Sequence, residues 1–483
     1  MGARTGEQVI ERLRNTPREI YYQGELVQDV TTHPAFRRGA RSLADLYDIQ
    51  CAQQDEMTYI SPTSGNRVGL SFLTPRTRDD LPRVREMMKR WADASGGMLG
   101  RSPDYLNRAI MAYAAAADYL AENDPRHGQH VRAYYDYVRE NDLTLTHSLI
   151  NPQANRAVGP AQQADPYLAA RVVKETDAGF IIRGARMMAT LPIADELLVF
   201  PSTLLKATQE DEPYAFAFAL PCSAPGLKFI CRESFDYDRS TFDHPLGARF
   251  EEMDAVAIFD DVLVPWERVF LYRDVVRCNR AFAVSTAVVH MAHQVVTKNI
   301  AKTEFILGLA SLIVHTIGIE GFQHVQEKIA EIIVDLEAMR AFARAAEADA
   351  ELDHWGVMTP AWPPLDAARN MFPRLYPRMV EIIQLLSASG LMALPTEADL
   401  QNPALAPLVD KYFQAARADA RERLKLFHLA WDVAASAFGA RQVLYERFFF
   451  GDPVRMAGAM FASHDRTAYM DRVRDFLERS DEE

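Results

Sequence analysis

The chain alternates between two hydrophobic rhythms. Over the first third the apolar positions recur at three- and four-residue steps, the spacing of a helix with one buried face. Residues 81–94, 105–120 and 131–142 read as helices, with Pro82 suited to a first helical turn. Residues 151–164 are rich in Asn, Gln, Pro and Gly and read as loop. From about 172 to 271 the rhythm shortens to strand-like runs bounded by turns, at 179–183, 197–201, 214–220, 227–231 and 255–259. That spacing predicts a compact antiparallel β domain. The last two hundred residues return to helix. In residues 325–342, Val325, Ile329, Ile332, Ile333, Leu336 and Met339 form one stripe predicted to be buried, and 282–312, 366–388 and 404–439 behave similarly. The Pro-rich stretch 359–364 separates two of these helices. The expected order is an N-terminal helical domain (1–143), a middle β domain (144–273) and a C-terminal helical bundle (274–483).

Composition narrows the function classes. The 483 residues are 48% hydrophobic and 25% charged, as in an ordinary globular protein. The 53 Lys and Arg against 66 Asp and Glu leave a net charge of −13, which argues against nucleic acid as a partner. Cys51, Cys222, Cys231 and Cys278 form no CxxC pair, so neither a disulfide framework nor a zinc ribbon is expected. Residues 1–14 lack the apolar core of a signal peptide, and no uninterrupted apolar run has membrane-spanning length. The expectation is a cytoplasmic protein with no membrane partner. None of the 23 glycines falls in a GxG spacing, and neither GxSxG nor HExxH occurs. A Rossmann dinucleotide loop, a P-loop and a nucleophile elbow are therefore missing.

A few segments could carry chemistry. Gly96, Gly97 and Gly100 precede Arg101-Ser102-Pro103-Asp104-Tyr105. Ser102 suits an N-cap and Pro103 a first helical position, which would set Arg101 beside the positive end of a helix and favour an anion there; a routine helix start with a surface Arg is the plainer alternative. His147, in a polar cluster at the helix-to-β boundary, suits proton transfer or donation to a phenolate, or a structural role. His290 and His293 stand at i, i+3 spacing and could share a metal or pack inside the bundle; no neighbouring carboxylate or cysteine completes a ligand set. Arg340 and Arg344 read as a solvated helix face. Residues 451–455 read as a tight turn.

Read together, these segments resemble the oxygenase component of the two-component 4-hydroxyphenylacetate 3-monooxygenases. The likeness runs over nearly the whole chain, through Arg4-Thr5-Gly6, Thr32-His33-Pro34, residues 100–105, Thr146-His147, Asn151-Pro152-Gln153, residues 259–268, 439–442 and 448–453. The resemblance implies a mainly α chain with a β middle domain, acyl-CoA dehydrogenase-like in fold. It also implies a homotetramer that receives reduced FAD (FADH2) from a separate NAD(P)H flavin reductase. The implied reaction uses molecular oxygen as co-substrate and hydroxylates a para-substituted phenol ortho to its hydroxyl, through a flavin C4a-hydroperoxide. By the same resemblance Arg101, Tyr105 and His147 surround the substrate phenol, and Ser202 and Thr203 lie near its carboxylate. His147, Asn151, Gln153, Ala154, Asn155, Arg156, Thr190, Gly451, Asp452, Pro453, Val454 and Arg455 fall at flavin-binding positions. No metal is expected. The competing reading is a flavin-dependent acyl-CoA dehydratase or lyase of the same fold, such as 4-hydroxybutyryl-CoA dehydratase. That enzyme's iron–sulfur cluster is held by cysteines and a histidine, and Cys278 and His293 alone could not hold one.

Overall fold

The computed structural model describes residues 2–201 and 205–480. Two sheets lie at the centre, with helices from both ends of the chain around them. The six-stranded sheet runs in the order Glu25–Leu26, Glu19–Tyr22, Leu227–Cys231, Asp254–Pro265, Gly179–Thr190, Arg171–Thr176. The four-stranded sheet runs Val269–Tyr272, Phe216–Pro221, Glu196–Val199, Leu145–Ser148. Between them Phe180, Phe216, Phe218, Phe229 and Phe259 are fully buried and form an aromatic core.

This arrangement corrects two expectations. The first third is not purely helical: Glu19–Tyr22 and Glu25–Leu26 form a hairpin on the edge of the large sheet, turned by Gln23 and Gly24, both at positive φ. Nor is the β region wholly antiparallel. Glu19–Tyr22 pairs parallel with Leu227–Cys231, and Leu145–Ser148 pairs parallel with Glu196–Val199. Parallel partners need long crossovers, and here both reach the sheets from the preceding helical segment, so local strand spacing could not reveal them.

Helices Asp80–Ala94 and Pro103–Ala115 pack on the 31-residue helix Ala287–Ile317, which also packs against Gln323–Ala348 and Trp362–Ser387. Helix Pro103–Ala115 is buried along almost its whole surface, which its Ala-rich sequence permits. The predicted helix 282–312 is two helices, Val275–Val284 and Ala287–Ile317. The break falls at Thr286, whose φ of 58° lies in the left-handed region. Within Gln323–Ala348 the predicted stripe holds at Val325, Ile332, Leu336 and Met339, but Ile333 is 43% exposed because it stands one residue past the buried seam. Ala287–Ile317 is also long and apolar enough to cross a membrane by length and composition, contrary to the sequence expectation. Its residues are nonetheless largely buried against the neighbouring helices, and they include Lys298 and Lys302.

Candidate active site

The turn before helix Pro103–Ala115 is tied to three other parts of the chain. Gly97 has a φ of +71°, and a Cβ there would lie 2.9 Å from the Lys302 backbone N, so only glycine lets the turn rest on the long helix. The Gln442 side chain donates to the Met98 carbonyl at 2.9 Å. The Arg101 amide donates to Glu252 Oε1 at 2.7 Å. Pro103 takes the first helical turn as expected, but the Ser102 hydroxyl does not cap the helix. Gln294 donates to it at 3.4 Å and to Asp104 Oδ2 at 3.2 Å instead. Burial pushes the Asp104 carboxyl up to about 6, against the hydrogen bonds from Ser102 and Gln294.

Arg101 enters an aromatic box. Its guanidinium carbon lies 4.7 Å from the Tyr105 ring centre, 5.4 Å from Phe449 and 5.6 Å from Tyr445. Tyr445 and Phe449 are stacked with centres 4.4 Å apart. Arg101 Nε and Nη1 are buried with no hydrogen-bond partner. Tyr105 faces the His147 ring at 5.8 Å and the Phe450 ring at 6.3 Å. Beyond His147 the wall continues through Phe200 at 5.3 Å, with Phe282 and Tyr113 behind it at 5.0 and 5.8 Å. Arg101, Tyr105 and His147, which are 46 residues apart at most, are thus brought together by one helix start and one strand.

Burial, reinforced by the Arg101 charge, holds His147 well below its ordinary 6.5, so its imidazole is neutral near pH 7. Burial raises the Tyr105 and Tyr445 phenols, outweighing Arg101, and both stay protonated. The arrangement therefore offers a guanidinium with two unpartnered nitrogens, protonated phenols and a neutral imidazole among flat rings. It suits an aromatic ligand whose oxygen becomes anionic.

A buried ionic layer lies beneath the box. Arg441 pairs with Glu252 at 2.7 Å and with Asp254 at 2.6 Å. Arg232 pairs with Glu251 at 2.7 Å and Asp254 at 2.9 Å. Lys298 and Lys302 both meet Glu446. With Arg101 there are five cations, Arg101, Arg232, Lys298, Lys302 and Arg441, against four carboxylates, Glu251, Glu252, Asp254 and Glu446. Despite its burial Asp254 is held well below the usual carboxylate range by Arg441 and Arg232.

The remaining expected residues divide by place. Thr190 is buried at the end of its strand; its hydroxyl donates to Asp254 Oδ1 at 3.2 Å, and its carbonyl accepts from Thr146, the neighbour of His147. The Asn151 side-chain oxygen is buried with no partner, and its carbonyl accepts from Gln153 at 2.9 Å. Gln153, Ala154, Asn155 and Arg156 lie on an exposed loop, and among the described residues no side-chain contact joins them to the box. Ser202 and Thr203 fall outside the described residues. Gly451 follows Phe450, at the rim of the box. The segment 451–455 is a helix start and not only a tight turn: Asp452 Oδ1 accepts from the Val454 and Arg455 amides, both at 3.1 Å, and Pro453 opens helix Pro453–Ser463. Val454 is 80% exposed. A separate cleft of about 450 Å³, between Tyr119, Arg277 and Trp355, contains none of these residues.

His293 pairs with Glu347 at 2.8 Å, while His290 sits 3.3 Å from both Arg108 and Thr359. Among the described residues no group of three or more His, Cys, Asp or Glu is placed to hold a metal ion. Arg340 is exposed and paired with Glu337 and Glu304, as a solvated helix face would be. Sequence reasoning missed Tyr445, Phe449, Phe450, Glu252 and the Lys298–Lys302–Glu446 group. One signal was available, because Lys298 and Lys302 are like charges at i, i+4 in a long and mainly apolar helix.

Comparison with known proteins adds to this geometry. A family model described as 4-hydroxyphenylacetate 3-hydroxylase N terminal matches residues 5–271, and one described as 4-hydroxyphenylacetate 3-hydroxylase C terminal matches residues 278–478. The 4-hydroxyphenylacetate 3-monooxygenase oxygenase component of Geobacillus sp. (strain PA-9) is 52% identical over 478 residues, 99% of this chain and 97% of that protein. A crystal structure of the oxygenase component of 4-hydroxyphenylacetate 3-monooxygenase, complexed with FAD and 4-hydroxyphenylacetate, superposes with a TM-score of 0.95 at 53% identity and covers 99% of both chains. An oxygen-tolerant archaeal 4-hydroxybutyryl-CoA dehydratase from N. maritimus superposes at 0.88 over 99% of this chain and 95% of that one. At 19% identity it speaks only to the fold.

Proposed function

The chain belongs to the 4-hydroxyphenylacetate 3-hydroxylase family, and on that premise we propose that it is the oxygenase component of a two-component flavin-dependent monooxygenase. It uses reduced FAD and molecular oxygen to hydroxylate a para-substituted phenol, 4-hydroxyphenylacetate or a close analogue, ortho to its hydroxyl. Its fold is acyl-CoA dehydrogenase-like, mainly helical around a β middle region. The observation that carries this reading is the Arg101 guanidinium, with two buried nitrogens unpartnered, closed among aromatic rings beside Tyr105 and a neutral His147.

The residues present fit a flavin. Asn151, four residues after His147, has a buried, unpartnered side-chain amide oxygen. His147, Asn151, Gln153, Ala154, Asn155, Arg156, Thr190 and the segment Gly451, Asp452, Pro453, Val454 and Arg455 would hold it. Bound reduced FAD supplies the electrons that activate oxygen. The protein's own work is on the phenol. A phenol ionises near 10 in water, so the site must favour its anion. His147 is neutral and can donate a hydrogen bond to the phenolate or accept the phenolic proton, Arg101 supplies fixed positive charge to the oxygen, and Tyr105 donates a hydrogen bond to it. Phenolate character raises electron density at the ortho carbon, where the new oxygen bonds. Each such preorganised donor is worth about 3 kcal/mol, or a hundredfold in rate. Phe200, Phe282, Phe449 and Phe450 keep water from the reacting atoms. Ser202 and Thr203 would receive the substrate carboxylate.

The acyl-CoA dehydratase alternative has no support from the residues. The segment 100–105 carries no cysteine, and His293 is already paired with Glu347. A separate NAD(P)H flavin reductase is the electron-supplying partner. We place the functional units at 1–143, 144–273 and 274–483, with the strand Glu19–Tyr22 lent to the middle sheet. The family resemblance implies a homotetramer, and the exposed Tyr469, Met470 and Val473 on helix Thr467–Ser480 offer an apolar face that a second copy would cover. The four cysteines are free, in keeping with a reducing cytoplasm.

The test is anaerobic titration of the protein with reduced FAD, then mixing with oxygenated buffer and 4-hydroxyphenylacetate. Tight binding and a product heavier by one oxygen are expected. Absence of both would overturn the reading.

A further inference from the structure

Lys298 and Lys302 stand one turn apart on Ala287–Ile317 and share one carboxylate. Their ammonium nitrogens lie 2.5 and 2.6 Å from the same Glu446 Oε1, and all three side chains are at most 1% exposed. Glu446 Oε2 is buried without a partner. Lys302 has a second acceptor, Gln442 Oε1 at 2.9 Å, and lies over the Tyr376 ring at 4.8 Å. Lys298 instead lies 4.9 Å from the Phe449 ring centre and 5.5 Å from Tyr445. These are the two rings that enclose Arg101, at 5.4 and 5.6 Å. Sharing the Phe449 ring puts the two charges no more than about 10 Å apart.

One carboxylate needs one ammonium. A second buried cation is expensive unless an anion completes it, so pairing Glu446 does not account for both lysines, and Lys298 is the one set against the rings of the box. Resting on the hydroxylase reading above, we propose that Lys298 is a positioning residue for that reaction, a second positive charge that favours the phenolate at Arg101 through space without touching it.

The groups facing Lys298 are Glu446 and Tyr445 on Ala437–Phe448, Lys302 on its own helix, Glu252 from the middle of the chain, and the Phe372 ring at 5.8 Å on Trp362–Ser387, with Arg101 across the Phe449 ring. Burial pushes the Lys298 ammonium down to about 7, with Glu446 opposing and Lys302 adding to the fall. An anion bound at Arg101 restores the proton on Lys298, and by reciprocity the proton strengthens the anion.

The probe is 4-nitrophenol, whose phenolate absorbs visible light and whose phenol does not. Its ionisation is titrated while bound to wild type, Lys298→Gln, Lys298→Met and Lys302→Gln, each checked for fold by circular dichroism. The Gln variant keeps a donor for Glu446 and the Met variant keeps the volume. Lys302 remains to pair Glu446 in both, so at least one is expected to fold. Loss of Lys298 is expected to lower the bound phenolate-to-phenol ratio about tenfold, the effect of one charge at about 10 Å in a buried site. Loss of Lys302 is expected to lower it less than threefold. An unchanged ratio in a folded Lys298 variant, or equal shifts for the two lysines, overturns the proposal and leaves the functional reading standing. A wild type that binds no phenol overturns both.

Discussion

Gly100→Ala tests whether the box must hold its shape. A Cβ at Gly100 would meet the Tyr445 ring at 2.4 Å from both Cζ and the hydroxyl oxygen, and 2.5 Å from Cε1. Carbon atoms settle at about 3.5 Å, so the ring must retreat by roughly 1 Å. It cannot do so alone. Its other face is stacked on Phe449 at 4.4 Å, and Phe449 in turn packs on Phe450 and lies under Lys298. Overpacking of this kind costs about 1–3 kcal/mol. For a chain of this length that lowers the unfolding temperature by about 1–3 °C. The functional loss is expected to be larger, because a displacement of roughly 1 Å beside reacting groups costs about a hundredfold in rate. The assay is hydroxylated product per reduced FAD oxidised, beside a thermal melt. Tyr445→Leu supplies the control: on that background Gly100→Ala should cost less than half as much, since its clash is gone. An alanine that leaves both melt and product yield unchanged, or that costs the same on both backgrounds, would refute the argument that Tyr445 buttresses Arg101.

Arg101→Ala and His147→Ala should each cut hydroxylated product about a hundredfold while oxygen is still consumed and released as hydrogen peroxide; unchanged coupling in both variants would remove them from the chemistry. Asp104 keeps its proton up to about 6 when folded but loses it near 3.8 when unfolded, so it subtracts stability as pH rises from about 4 to 6. Asp104→Asn should therefore gain up to about 3 kcal/mol relative to wild type between urea unfolding at pH 4 and at pH 7, and an equal difference at both pH values would contradict the burial argument. Val473→Glu puts a charge on the exposed face of helix Thr467–Ser480, where Val473 is 59% exposed; light scattering should then report a particle smaller than the proposed tetramer, whereas an unchanged mass would place the contact elsewhere.

What the sequence by itself determined was local. Three- and four-residue periodicity marked helices such as Asp80–Ala94, and alternation marked Leu227–Cys231, because each depends on residues within one or two turns. Arg101, Tyr105 and His147 were legible through their motifs and the family those motifs resemble. The tertiary structure alone decided what surrounds them. Tyr445 and Phe449 reach Arg101 from more than three hundred residues away, and Glu252 takes its amide from the middle of the chain. The parallel pairing of Glu19–Tyr22 with Leu227–Cys231 spans about two hundred residues and leaves no local trace. Lys298 shows the limit most plainly. In sequence it is a charge in an apolar helix; only packing sets it against Glu446 and two aromatic rings, where burial turns an ordinary ammonium into one poised near neutrality.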